Sequence, residues 1–364
     1  MNARERVRLA LTCQRPDRVP MALAFWEESL PAIAPATPAD HFGLDVRFVE
    51  FRPPEGQDDF LRYLRGLPRD VHVGNLGQLR TYHEWRYHPE RGPDGPLSHA
   101  ETVEEIAAYA FPDLADPRRY AGLAEQVAGW HGRGLAVAGS PPHLGGELFE
   151  SGYRLRGFQN FMADLVERPA LVEYLLDQLT AVTIHNALIL ARAGVDILLL
   201  DDDVAMPTGL IIGLHTWRRF FKPRLADIIR LARQVNPDPS TLRQAQGSGQ
   251  DLIIFYHSDG DFSALLPDLV EIGVNVINPV QPDCMDASAI KRQFGDRLAL
   301  WGTVGTAGLW QHGTPADIRA EVRLRIETLG PAGLLLSPAY DLDFAPFENV
   351  VAFVKAVKEG KRNE

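Results

Sequence analysis

Cysteine is scarce, with two thiols, Cys13 and Cys284, in 364 residues. So few cannot make a disulfide framework, so a reducing compartment, the cytoplasm, is the expected location. Basic residues are outnumbered 37 to 48 by acidic ones, giving a net charge of −11. No basic stripe offsets that excess, so no nucleic-acid partner is expected. No apolar run approaches the ~18 residues of a membrane span, so no membrane partner is expected either. The opening MNARERVRLALTCQRPD lacks the unbroken apolar core of a signal peptide and reads as a short amphipathic helix ending near Pro16. No glycine-rich phosphate fingerprint opens a helix, which weighs against dinucleotide binding.

What is present is a large apolar fraction, 45%, enough for one elaborated domain spanning 1–364. The most informative stretch is LIIFYHSDGDFSALLPDLVEIGVNVINPVQ, from Leu252 to Gln281. Leu252 to Phe255 read as a buried strand, Asp261 stands where a helix N-cap belongs, Ala264 to Ile272 carry helical spacing, and Gly273 closes the helix before a strand at Val274 to Ile277. Ligands collect at the carboxyl ends of strands in such units, so His257, Ser258, Asp259, Asn278 and Gln281 are expected to face one pocket.

Six further strands are expected: Arg18 to Phe25, delivering Trp26, Glu27 and Glu28; Leu44 to Phe51; Leu135 to Ala138; Val195 to Leu200, running into Asp201-Asp202-Asp203; Leu298 to Trp301; and Gly333 to Ser337. Eight strands alternating with helices predict an α/β (β/α)8 TIM barrel, with an open doubly wound sheet as the alternative. The aromatic, turn-rich stretch 71–99 predicts a β-hairpin inserted after the second strand, and residues 236–250 a flexible surface loop. Residues 145–157 are expected as a loop carrying Glu147, Tyr153 and Arg156. The three aspartates either hold a substrate or cation or cap the next turn. Asn278 and Gln281 either bind substrate or order their own loop. Trp26, Trp85 and Trp301 either line an apolar pocket or pack in the core. Cys284 reads as a buried inert thiol, with a soft metal ligand as the alternative. His143, His215 and His312 lie in loops and receive no role.

The segments RERVRLALTCQRPDRVPM, HSDGDFSALLPDLVEIGVNVINPVQP, FGDRLALWGTVGT and GLLLSPAYDLDFAPFENVVAF together resemble the uroporphyrinogen decarboxylase superfamily. That resemblance implies a TIM barrel and an enzyme, either a decarboxylase of tetrapyrrole carboxylates or a methyltransferase that exchanges methyl groups with a corrinoid protein. Decarboxylases of the family carry an arginine-rich segment close to RQAGRY after the first strand; here AFWEESLPA has no arginine and two glutamates. Their second-strand aspartate has no clear match in VRFVEFRPP, and Tyr340 stands where they place a histidine. Methyltransferases of the family hold zinc through His-x-Cys and a later cysteine; here the first motif is His257-Ser258-Asp259 and the later position falls near Tyr340. The resemblance therefore implies methyl transfer between a small methylated compound and a corrinoid, with decarboxylation and non-catalytic corrinoid or tetrapyrrole binding as alternatives. The residues it singles out are His257, Asp259, Asp202 and Tyr153 for chemistry, and Trp26, Glu27, Asn278, Gln281, Trp301 and Tyr340 for substrate. Zinc on His257, Asp259 and Glu27, a corrinoid methyl carrier and a homodimer complete the expectations.

Overall fold

The computed structural model describes residues 1–23, 36–52, 58–67, 76–92, 94–235, 252–305, 308–339, 342 and 345–360. Seven strands form one parallel sheet: β1 (Val46–Val49), β2 (Ala136–Gly139), β3 (Ile197–Asp201), β6 (Ile253–His257), β7 (Val276–Asn278), β8 (Ala299–Val304) and β9 (Leu334–Pro338), in that spatial order. A small antiparallel hairpin, β4 (Ala205–Met206) and β5 (Gly209–Leu210), follows β3. Strands alternate with helices along the chain, so parallel neighbours are joined by helical crossovers, which pack against the outer face of the sheet.

The sheet curls because one short segment bonds to both of its edges. The Leu336 N–H donates to the Pro20 carbonyl and the Ala22 N–H to the Leu336 carbonyl, both at 3.0 Å, while the Asp45 N–H donates to Met21 at 3.1 Å. The strand expected at Arg18 to Phe25 is thus reduced, among the described residues, to a single bridge between Met21 and Leu336. Proline offers no N–H at position 20, and the Met21 N–H goes to the Asp45 side chain at 2.9 Å instead of a strand carbonyl, so the ladder stops.

Side-chain alternation divides the core. Val46, Ala138, Ile197, Leu199, Ile253, Phe255, Val276, Trp301 and Leu335 share one cluster with Val7 and Leu11 of the helix Ala3–Leu11, which closes one end of the curl. Their sequence neighbours Val137, Leu198, Leu200, Ile254, Tyr256, Ile277 and Leu336 join the second cluster, against the outer helices. Each buried leucine or isoleucine contributes about 1.5–3 kcal/mol, so a one-residue slip that exchanged the two sets is strongly disfavoured.

The hairpin expected within 71–99 is not found; residues 68–75 and 93 lie outside the described set, and Leu76–Glu84 is a helix. Tyr82 and Trp85, both buried, are three residues apart, a helical spacing, and Arg86 with φ 53° ends the run. The loop expected at 145–157 contains the helix Phe149–Arg156. Its start is capped from a distance, because Asp202 accepts the Phe149 and Glu150 N–H groups at 2.8 and 2.9 Å. The helix expected from Ala264 is a 3-10 turn, Ser263–Leu265, running into Leu266–Ile272, and Asp261 accepts from the Ser263 N–H rather than capping the α-helix. The loop expected at 236–250 lies outside the described residues. Among the described residues no helix is long and apolar enough to cross a membrane.

Candidate functional site

Strand alternation carries from the core to the carboxyl ends of the strands. In β3, Ile197 and Leu199 point inward, so Asp201 has inward parity; in β6, Ile253 and Phe255 do the same for His257, and in β7 Val276 does so for Asn278. Asp201 pairs in register with His257, and His257 with Asn278. The chain then places Asp203 and Asp259 beside them. One ligand atom from each of Asp201, Asp203 and His257 lies within 4.8 Å of the others. His257 Nε2 is 3.7 Å from Asp203 Oδ1 and 3.9 Å from Asp259 Oδ1.

Asn278 fixes the imidazole. Its amide nitrogen donates to the Trp301 carbonyl at 3.0 Å, so its oxygen faces His257 and accepts from Nδ1 at 2.5 Å. Nδ1 therefore carries the proton and Nε2 is turned toward the acids, the arrangement in which a histidine serves as a metal ligand or, doubly protonated, as an acid. Burial by itself would lower the pKa of His257, but Asp201, Asp203 and Asp259, with the Asn278 bond, outweigh it and push the value up to about 9. Burial holds Asp201 well above the usual carboxylate range, with His257 opposing that rise. Glu147 is likewise held high, by burial and then by Asp201. Glu147 takes the Asp201 N–H at 2.6 Å and gives its own N–H to the Asp201 carbonyl at 2.9 Å, clamping the end of β3. Gly146 allows this close approach: a Cβ there would lie 2.8 Å from the Asp202 Cα.

The cluster offers one imidazole nitrogen and carboxylate oxygens, and Asp201 Oδ1 is buried with no hydrogen-bond partner among the described residues. Such a nitrogen and oxygen set fits zinc or another divalent cation with open positions, and it contains no sulfur. Cys284, the alternative soft ligand, instead points its thiol at Gln281 Oε1, 3.6 Å away.

The other expected residues fall into place as follows. Asp202 has outward parity, is 6% exposed and spends both oxygens on the helix 149–156. Asp259 is held by Gln281, whose Nε2 donates to its Oδ1 at 3.1 Å, while the Asp259 N–H donates to Asp203 at 2.7 Å. Gln281 also accepts the Gly260 N–H at 2.9 Å, so its visible bonds order this loop. Tyr153 donates to Glu150 at 2.7 Å, in a network with Arg154. Trp301 is 1% exposed and packs edge-on against Phe255 at 5.1 Å inside the curl. Trp26, Glu27 and Tyr340 lie outside the described residues. Beside Asp201 opens a cavity of about 440 Å³ between the ends of β1 to β3 and the helix Leu76–Glu84, walled in part by His143, Arg80 and Arg119. Sequence reasoning gave none of these three a role, because loop and helix side chains carry no alternation to read.

Known proteins match this chain as follows. The family model for uroporphyrinogen decarboxylase (URO-D) matches residues 131–360. The methylcobamide:CoM methyltransferase MtaA of Methanosarcina barkeri is 26% identical over 201 residues, which are 55% of this chain and 52% of that protein. A uroporphyrinogen decarboxylase of Coxiella burnetii is also 26% identical, over 226 residues, 62% of this chain and 57% of the relative. The chain thus spans about half the length of the curated relatives it matches. A methyltransferase structure from Methanosarcina mazei superposes with a TM-score of 0.67 at 19% identity, covering 99% of both chains, and so shares the fold. With parallel strands, a polar cluster at their carboxyl ends and a family match over more than half its length, this chain belongs to the uroporphyrinogen decarboxylase family.

Proposed function

We propose that this protein is a methyltransferase of the family, moving a methyl group between a small methylated compound and a corrinoid, with a divalent metal held by His257, Asp201 and Asp203. The observation that carries this is the orientation of His257: Asn278 takes Nδ1–H and leaves Nε2 directed at a carboxylate cluster within 4.8 Å. The methyltransferase relative in sequence supports the same branch. A metal bound there would supply Lewis acidity, which stabilises a substrate thiolate or alkoxide, as the nucleophile when methyl leaves the corrinoid and as the leaving group when a methylated donor gives its methyl to reduced corrinoid. The chain's own contribution is positional. Asn278 holds the ring, Glu147 clamps the strand end that carries Asp201, and Gln281 keeps Asp259 within reach of Nε2. Asp259 stands ready as an outer acceptor for a proton released by the substrate.

A second reading, decarboxylation, is favoured by the decarboxylase relative, which is equally similar, and by one feature of the site: in the metal-free protein the His257 pKa, pushed up to about 9, keeps the ring protonated at neutral pH. An imidazolium facing substrate can donate a proton to the carbanion left when carbon dioxide departs. Metal content separates the two. Purified protein should hold zinc near one per chain and lose it in His257→Ala, and should then demethylate a donor when incubated with reduced cobalamin. Metal-free protein that releases carbon dioxide from a porphyrinogen would establish the second reading and exclude the first.

A further inference from the structure

We infer that the helix Asp58–Gly66 is an acid-released flap, docked behind one wall of the cavity beside Asp201 by a latch in which His83 and His88 pack as uncharged rings. The helix offers that latch two side chains three residues apart, Phe60 and Tyr63, which therefore share a face. Both are buried, at 2% and 9% exposure, yet neither belongs to the two core clusters of the sheet. What covers them is a nest of rings. Tyr63 stacks on His83 with centroids 4.9 Å apart and lies 4.9 Å from His88, Phe60 lies 5.8 Å from His83, and the two imidazoles are 5.9 Å apart. Arg80, which lines the cavity, lays its guanidinium over the Phe60 ring at 4.5 Å, so the docked helix backs the cavity wall.

The nest accepts rings but not charge. Nδ1 of His83 and of His88 is buried without a hydrogen-bond partner among the described residues, and Glu90 Oε1, 3.7 Å from His88 Nδ1, is beyond hydrogen-bond reach. Burial is the main influence on both imidazoles and holds their pKa values below the ordinary 6.5. Asp59 and Glu84 pull His83 the other way and Glu90 does so for His88, while Arg91 opposes a proton on either ring and His83 opposes one on His88. Arg80, over Phe60, adds a further positive charge beside the nest. Tyr63, which donates to Glu90 at 3.3 Å, is pushed up to about 12 by burial and stays neutral. A released ring meets water and regains its ordinary value. The latch therefore contributes its full stability above pH 6.5 and loses it as pH falls below. Tyr82 and Trp85 remain in the main core, so the release is local to the helix Asp58–Gly66. The latch stands apart from His257 and its acids and does not rest on the function proposed above.

The test is hydrogen–deuterium exchange read by mass spectrometry on the full-length protein at about pH 7.5 and about pH 5.5, with rates corrected for the intrinsic effect of pH on exchange. About one unit below 6.5 a released ring is about nine-tenths charged, so protection of residues 58–66 should fall at least about threefold, toward a limit of about tenfold per ring. Protection of the helix Pro169–Ala193 should hold. His83→Phe combined with His88→Phe keeps the rings and removes the titration, so its flap should stay docked at both pH values. Should that pair not fold, His83→Gln combined with His88→Gln removes the rings, and residues 58–66 should then be weakly and equally protected at both. Equal protection of wild type at the two pH values, an acid loss that persists in the double variants, or a loss that extends to residues 169–193 would overturn the flap.

Discussion

Replacing Asn278 with alanine removes both bonds that set His257. The side chain is fully buried, it accepts from His257 Nδ1 at 2.5 Å, and it donates to the carbonyl of Trp301, itself 1% exposed. A hydrogen bond to a charged group is worth about 1.5–3 kcal/mol, and the truncation leaves the Nδ1–H and the Trp301 carbonyl without their partner, so a stability loss of about 3 kcal/mol is expected. Partners that orient a ligating histidine typically change metal affinity by about 10–100-fold. Zinc affinity, measured by competition with a chromophoric chelator, should fall by that factor in Asn278→Ala. Asn278→Asp keeps an acceptor for Nδ1 while losing the donor to Trp301, so it should recover much of the zinc affinity but little of the stability. Unchanged zinc affinity in Asn278→Ala, with the denaturation midpoint also unchanged, would show that this bond does not set the ring.

In metal-free protein the pKa of His257 rises from its ordinary 6.5 to about 9, so folding is favoured by the charged ring below pH 6.5 and that advantage is lost as pH climbs through 9. Asp201 and Glu147, also raised, act in the same direction; urea midpoints should therefore fall between pH 6 and 9.5, and fall less in His257→Gln, and an equal fall in both proteins would refute this. Asp45, 1% exposed, accepts from Arg6, Arg18 and the Met21 N–H, which ties the segment joining the two sheet edges. Asp45→Ala should cost about 2–3 kcal/mol in urea denaturation, since it removes the acceptor of two arginines and of the Met21 N–H while Arg6 keeps Asp17, and a loss below about 1 kcal/mol would contradict that role.

Much of the fold was legible because period and punctuation are local. The strand at 252–255 and the closure at Gly273 lie within a few residues of what they specify, and the structure places β6 and the Gly273 turn there. The misses share the opposite property. The helix 149–156 is capped by Asp202, 53 residues away from Phe149, and no neighbouring residue announces it. Among the described residues the first strand is cut to one bridge because a side chain, Asp45, takes an N–H that a ladder would have used. At the site, His257 and Asp259 were visible as polar residues ending a strand, but the choice among Asp201, Asp202 and Asp203 required parity. Carrying the alternation of Ile197 and Leu199 two and four residues further would have selected Asp201 and Asp203 for the interior and left Asp202 facing the helices.

The most direct measurement is metal content across the aspartate triplet. Asp201→Asn and Asp203→Asn should each lose bound zinc, or bind it at least about tenfold more weakly, while Asp202→Asn should keep its zinc and lose stability through the helix 149–156 it caps. Zinc lost in Asp202→Asn but retained in the other two would contradict the proposed site and the strand parity behind it.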